Sequence, residues 1–162
     1  MELESVAARA AEITDERELA QLRAAADEAI EDAARSEDFR ERAVAFRAIG
    51  QMRYRAKTEL LRLGLEDESP ACRGSALVSL ELLSRDGPAP VNAFRSRLHQ
   101  LATNDPNQAV RRLAIVTLRN GSAQRDTISL LAGLAEDDRV EADVRTAAAR
   151  VSAQLKRKSN VR

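Results

Sequence analysis

Two side chains in this 162-residue chain have the chemistry of a nucleophile and a general base, and each is the only one of its type. Cys72 falls near the start of a predicted helix, where the helix dipole favours a thiolate. A thiolate nucleophile also needs a base, and His99 belongs to a different predicted helix without a recognised acid or metal partner. We therefore predict that Cys72 is a buried apolar residue, that no residue is catalytic and that the protein is not an enzyme.

Two runs of carboxylates have the composition of metal ligands or of an acid–base pair. One run is Glu66-Asp67-Glu68, and the other spans residues 136–138. Both recur at the same place in a repeated pattern, directly after a predicted helix, where carboxylates cap helices and keep a turn soluble. We therefore predict a structural role for both runs, and we expect no metal ion and no cofactor.

Arginine dominates the basic side chains, because 23 of the 26 basic residues are arginines. Its planar guanidinium suits bidentate binding of a carboxylate or a phosphate. Several basic residues fall on neighbouring predicted helices, and we name them the basic row: Arg55, Lys57, Arg62, Arg95, His99 and Arg125. Two interpretations stay open. The row binds an acidic partner, or it is a solvated helix face balanced by acids such as Glu59 and Glu66.

The composition predicts a single all-helical domain. Apolar residues make up 44% and charged residues 32%, with 26 bases against 26 acids and only 2% aromatics. Such a chain is too apolar to be disordered, and it has no apolar run near the ~20 residues that span a bilayer. The acidic start Met-Glu-Leu-Glu-Ser is unlike a secretory signal, so we expect a cytoplasmic protein without membrane contact. Zero net charge argues against a surface that serves DNA throughout.

A pattern of leucines, an aspartate, an arginine and an alanine recurs along the chain. Two leucines precede Asp67 and Arg73 in one copy, and a degraded copy with Arg42 lies before it. Two later copies contain the pairs Asp105 with Arg111 and Asp138 with Arg145. The four arginines lie 31, 38 and 34 residues apart. A period near 34 residues is typical of a two-helix solenoid repeat.

Nine helices are predicted around this pattern, near residues 3–13, 16–36, 39–51, 54–65, 70–84, 89–103, 106–119, 123–136 and 140–157. Asp15 and Asp105 are placed to cap helices, and Gly50 falls where a helix is expected to stop. The organisation that follows is an N-terminal helical cap over 1–37, repeats over 38–155 and a frayed basic tail over 156–162. No internal linker is long enough to divide this domain.

The register of Asp, Val-Arg, Ala and Leu resembles the HEAT repeat over roughly residues 38–155. Val110-Arg111 and Val144-Arg145 match the Val-Arg pair, whereas Cys72 and Glu41 depart from it at the valine. The resemblance implies a right-handed, armadillo-like α-solenoid of about four helix pairs whose second helices line the concave face. It also implies that the repeated acids and bases join adjacent repeats, so we assign six residues to structure: Asp67, Arg73, Asp105, Arg111, Asp138 and Arg145.

HEAT-like folds include scaffolds, adaptors, phycobilin lyase subunits and DNA glycosylases. We expect a non-enzymatic protein-interaction scaffold that binds an acidic or helical partner segment on the concave face. One alternative is a nucleic-acid-binding protein similar to the HEAT-like alkylpurine glycosylases. The absence of tryptophan and the zero net charge argue against it, since a site for a flipped base relies on aromatic stacking. A lyase-type accessory subunit is another alternative, for which the chain offers no distinctive cofactor-binding residue.

Overall fold

The computed structural model describes residues 1–160, and within that range the chain forms helices joined by turns, without a β-strand. The predicted all-α class is therefore confirmed. The helices assemble into two compact units, one from Met1 to Leu83 and one from Ser84 onward. The first unit contains α1 (Leu3–Glu12), α2 (Glu16–Ala34), α3 (Phe39–Gln51), a 3-10 helix (Arg55–Leu60), α4 (Leu61–Leu65) and α5 (Pro70–Leu83). The second contains α6 (Ala89–Ala93), α7 (Arg95–Asn104), α8 (Gln108–Leu118), α9 (Arg125–Glu136) and α10 (Ala142–Asn160).

Helix α3 is the centre of the first unit, because it packs against α1, α2, α4 and α5. Its buried face contains Phe46 and Ile49, which are fully buried together with Leu77 and Leu80 of α5. Burying each of these side chains contributes about 1.5–3 kcal/mol to folding. The most extensive packing in the unit, between α3 and α5, thus joins one copy of the repeated pattern to the next.

The second unit is built from two antiparallel helix pairs. Helix α7 packs against α8, α9 packs against α10, and the two pairs meet through α8 with α10 and α7 with α9. Lys158 Nζ donates hydrogen bonds to Arg119 O at 2.9 Å and to Gly121 O at 3.0 Å, so the C-terminal ends of α8 and α10 lie together. The two helices therefore run side by side in the same direction, as the same helix does in successive copies of a repeat.

The N-caps of α2 and α8 show where these two helices begin. Asp15 Oδ1 accepts a hydrogen bond from Glu18 N at 2.8 Å, which confirms the predicted N-cap of α2. Asp105 does not cap α8, contrary to expectation: its Oδ1 accepts from Asn107 N at 2.8 Å and closes a turn over the proline between them. Asn107 is the N-cap instead, accepting from Val110 N at 3.1 Å. The helix therefore begins two residues later than predicted.

Helix α3 ends at Gln51, one residue after Gly50 and at the predicted bound. Met52 is the C-cap, and the next residue, Arg53, has a positive φ of 49°, the left-handed conformation that follows many helix ends. Arg53 N donates to Gly50 O and Tyr54 N donates to Ile49 O, the two bonds of a Schellman motif. The side chain of Arg23 on α2 donates to Met52 O and Arg53 O, both at 2.9 Å, which satisfies carbonyls at this helix end.

Two predicted helices are interrupted. The segment expected to be helical over 54–65 begins as the 3-10 helix and becomes α-helical only at Leu61. The segment expected over 89–103 is divided into α6 and α7 at Phe94, where φ is −111° and the ring is buried. Conversely, α10 continues to Asn160, although a frayed tail was expected from Lys156. The rest of that tail, residues 161 and 162, lies outside the described residues.

Candidate interaction surface

Lys57, the central residue of the basic row in the first unit, is committed to neighbouring acids. Its Nζ lies 3.0 Å from Asp27 Oδ1 and 2.7 Å from Glu31 Oε1, both on α2, and only 15% of its side chain is exposed. The hydroxyl of Tyr54 also donates to Asp27. The hydrogen bond to Glu31, with that to Asp27, outweighs burial and raises the pKa of Lys57. This cluster fastens α2 to the 3-10 helix.

The other two members of the row in this unit also have partners within the chain. Arg55 Nη1 donates to Leu83 O at 3.3 Å. Arg62 Nε pairs with Glu59 Oε1 at 2.6 Å, one turn away, with 45% of the arginine side chain exposed. The pairing of Arg62 with Glu59 agrees with the interpretation of a solvated, balanced helix face.

Arg95 and His99 in the second unit meet at a buried hydroxyl. Arg95 Nη1 donates to Thr127 Oγ1 at 3.0 Å and to Ser122 O at 3.2 Å. Thr127 Oγ1 lies 2.9 Å from His99 Nε2, so its hydroxyl hydrogen has an acceptor when His99 is neutral. Burial lowers the pKa of His99, Arg95 lowers it further, and Asp126 opposes this. Both row residues therefore stabilise the contact between α7 and α9.

We predict that this cluster makes folding stability depend on pH. The folded protein holds His99 with a pKa below its ordinary value of 6.5, so the unfolded chain binds more protons in the window just below pH 6.5. The free energy of unfolding should then fall as the pH is lowered from 7.5 to 5.5. Thermal unfolding should show this fall in the wild type, and His99→Gln should reduce it. Equal pH dependence in both proteins would contradict the prediction, because it would mean that His99 has the same pKa in the folded and the unfolded chain.

Arg125 is the remaining member of the row, and it is exposed at the start of α9. Its side chain makes no hydrogen bond or ion pair within residues 1–160. The other five row residues all have intramolecular partners. Most side chains of the basic row therefore stabilise contacts between helices.

The repeated arginines stabilise the turns, and the first two do so in the same way. Arg42 Nη1 donates to the carbonyls of Ser36 and Glu37, and Arg73 Nη1 donates to those of Asp67 and Glu68. In each case the acceptors lie six and five residues before the arginine. Each arginine therefore closes the turn that precedes its own helix.

Asp67 joins two copies of the pattern. Arg42 Nε lies 2.8 Å from Asp67 Oδ2 and Arg42 Nη2 lies 3.0 Å from Oδ1, a bidentate pair in which both side chains are largely buried. Burial alone would raise the pKa of Asp67, but hydrogen bonds from Arg42 and from Ser69 N hold that pKa below its usual value. This geometry is a structural tie of the kind expected for the repeated acid.

The two later copies of the motif differ from the first two. Arg111 Nε donates to Ala102 O at 3.0 Å, which links α8 to α7. Arg145 Nη1 lies 3.6 Å from Asp138 Oδ1, and the aspartate side chain is 99% exposed. A pair at this distance whose aspartate is exposed contributes little to stability. The last copy therefore repeats the residue types of the motif without its buried geometry.

The remaining candidates for chemistry are Cys72 and the runs of carboxylates. Cys72 is buried, its Sγ donates to Phe39 O at 3.2 Å, and burial raises the pKa of the thiol. The prediction of a buried cysteine is thus confirmed. Among residues 1–160 no three His, Cys, Asp or Glu side chains are grouped as metal ligands would be.

A basic surface that the row did not include lies on the second unit. We name it the α8–α10 face; its residues are Arg112, Arg119, Arg150 and Arg157, all exposed. Helix α8 contains no acid, and α10 has five basic residues against Asp143 alone. Arg119 is the C-cap of α8. In each pair the two arginines are seven residues apart, which places them on one side about 10 Å from each other. This seven-residue spacing of arginines was the signal in the sequence from which the α8–α10 face could have been predicted.

The packing brings these arginines onto one surface. Because α8 and α10 run in the same direction, the 34-residue offset from Arg111 to Arg145 sets Arg150 level with a point between Arg112 and Arg119. At ~1.5 Å per residue, the Cα positions of the four arginines are then staggered along the helix axes in steps of about 4.5–6 Å. Arg112, Arg150 and Arg157 make no ion pair or hydrogen bond through their side chains within the described part of the chain.

Comparison with known proteins identifies no family for this chain. It matches no protein-family model and no curated protein. None of its helices between residues 1 and 160 is both long and apolar enough to cross a membrane. Its function is therefore inferred from the residues and their geometry.

Proposed function

We propose that this chain is a non-enzymatic protein-interaction module of the HEAT-like solenoid kind, and that it binds an acidic segment of a partner protein. The observation that carries the proposal is the α8–α10 face, an array of exposed arginines on two parallel helices. Guanidinium groups bind carboxylates in a bidentate fashion, and charged arrays of this kind give specificity and fast association.

The packing inside each unit supports the solenoid part of the proposal. In the first unit α3 packs on α5, and in the second α8 packs on α10, so helices in equivalent positions of the pattern lie side by side. The turns before α3 and α5 are closed by Arg42 and Arg73 through the same pair of bonds. Such regular local construction is typical of stacked repeats.

The α8–α10 face is a better candidate for the acid-binding surface than the basic row. A row residue such as Lys57 or Arg95 must leave intramolecular partners before it can bind an acidic segment. Arg112 and Arg150 have no such partners to leave within residues 1–160. An acidic segment that binds them gains new charge-assisted bonds without breaking old ones.

An acidic protein segment suits this face better than a nucleic acid. Residues 108–160 contain no Phe, Tyr or Trp, so the face offers no ring on which a base could stack. Residues 1–37 contain eleven acids and four bases, which would repel a long polyanion that extended beyond the face. A short acidic segment confined to the face avoids that repulsion.

Charge reversal on the α8–α10 face tests the proposal. A fluorescent 15-residue peptide rich in Glu and Asp should bind the wild type at low salt, and Arg112→Glu with Arg150→Glu should weaken it about tenfold or more. Arg17→Glu with Arg125→Glu changes the net charge equally at other exposed arginines and should change the affinity less than threefold. Fluorescence anisotropy gives both affinities, and circular dichroism checks the fold.

Two outcomes would contradict the proposal. Equal weakening by both double variants would show that the peptide responds only to net charge. Stronger binding of a 15-base-pair duplex than of the acidic peptide, with a steep dependence on salt, would favour the nucleic-acid alternative.

A further inference from the structure

We propose that the first unit contains a second binding site, a groove formed by α1, α2 and α3 that binds a basic amphipathic helix of a partner protein. The groove has a volume of about 850 Å³. It concerns a different unit and the opposite charge from the α8–α10 face, so it goes beyond the function proposed above.

Part of the lining of the groove is apolar. Ala29 and Ala33 of α2 and Val44 of α3 line it, and all three remain partly exposed. Leu3 of α1 also lines it and is buried. Small side chains on one wall leave room for the larger apolar side chains of an incoming helix, which is the usual arrangement of helix-in-groove recognition.

The length of the site fits about three helical turns. A smaller groove of about 420 Å³ shares Glu4 and Val44 with the first and continues along α3 to Gln51. The two grooves together follow α3 from Arg40 to Gln51. That distance is about 16 Å, the length of an eleven-residue helix.

The charge at the rim of the groove indicates the charge of the partner helix that would bind there. Glu4 and Asp32 line the groove, are exposed, and make no ion pair within residues 1–160. Two bases also line the site: Arg47 borders the smaller groove, and Arg40 of the larger groove lies over the Phe39 ring with its guanidinium carbon 5.1 Å from the centroid. Unpaired carboxylates beside an apolar floor complement a helix with leucine-like residues on one face and Lys or Arg at its edges.

A second copy of this chain fits the groove less well than a separate partner does. Helix α10 is the strongly basic helix of the chain, but its apolar residues Val151 and Leu155 are buried in its own unit. It therefore offers charge without an exposed apolar face. A partner helix that is free to bury its own leucines satisfies both properties of the groove.

A designed peptide pair tests the inference. The probe is a 14-residue amphipathic helix with leucines on one face and lysines on the other, labelled for anisotropy and measured at low salt. Glu4→Lys with Asp32→Lys should weaken its binding about tenfold. Glu12→Lys with Glu68→Lys makes the same change in net charge at exposed positions outside the groove, and it should weaken binding less than threefold. A control peptide with serines in place of the leucines should bind at least tenfold more weakly than the probe.

The other outcomes each overturn the inference in a recognisable way. Equal weakening by the two double variants means that the peptide follows only net charge. Equal binding of the serine peptide means that the apolar floor is not used. Concentration-dependent self-association in sedimentation, abolished by the Glu4 and Asp32 reversals, would assign the groove to a second copy. Arg112→Glu with Arg150→Glu should leave the basic probe bound, so this site and the α8–α10 face fail or succeed separately.

Discussion

Replacing Asp67 with alanine should lower the free energy of unfolding by about 3 kcal/mol. The change leaves the largely buried guanidinium of Arg42 without its bidentate partner, and it also removes the acceptor for Ser69 N at the turn before α5. A buried charge that loses its partner is costly, because the desolvation of the remaining ion is no longer compensated. Denaturant unfolding of the wild type and the variant measures the difference.

Asp138→Ala is the matched control for this prediction. Asp138 occupies the same place in its copy of the pattern, but its side chain is 99% exposed and its arginine partner is 3.6 Å away. The loss should therefore be below about 0.5 kcal/mol. Similar losses in the two variants would mean that burial does not distinguish the copies, and the tie between Arg42 and Asp67 would then contribute no more than an exposed pair.

The second large effect is expected at Gly50, where the backbone of α3 lies close against α5. A Cβ at this position would lie 2.6 Å from Ser79 Cα, a backbone atom that cannot move without separating the helices. The same contact contains the Ser79 hydroxyl, which accepts from Gly50 N at 2.9 Å and donates to Phe46 O. Gly50→Ala should therefore destabilise the fold by about 3 kcal/mol through overpacking, measured by denaturant unfolding.

Gly133→Ala is the control with the opposite sign. Gly133 lies within α9, is exposed, and has no atom within 4 Å of a Cβ placed on it. Alanine there should stabilise the protein by about 0.5–1 kcal/mol, because it lowers the entropy cost of helix formation. Destabilisation at both glycines, or at neither, would contradict the close approach of α3 and α5.

The helices could be predicted from the sequence because their signals are local. The cap at Asp15 and the period of buried residues act within a few residues of each other. The features that were not predicted depend on distant contacts. The close approach of Gly50 to Ser79, 29 residues away, is invisible in the local sequence. The 3-10 helix is fastened to α2 by Tyr54 and Lys57, whose partners are 27 and 26 residues away.

Prediction of the binding surface from the sequence is limited in the same way, as the basic row shows. Alignment of the copies located arginines and a histidine at related positions, but it did not reveal that Lys57 pairs with Glu31 or that Arg95 donates to Thr127. Charge in a sequence indicates a binding surface only when the folded chain leaves that charge unpaired. The α8–α10 face meets this condition at Arg112 and Arg150. In the sequence this face could be recognised from arginines that are two helical turns apart and have no acids nearby.

The turn closures by Arg42 and Arg73 also bear on how the chain folds during synthesis. Each closure joins residues only five and six positions apart, and the pair between Arg42 and Asp67 spans 25 residues. Contacts of such short range form early and favour fast folding. A nascent chain that has emerged as far as α5 already contains every partner of these bonds. Synthesis of the second unit is therefore not required for these bonds to form.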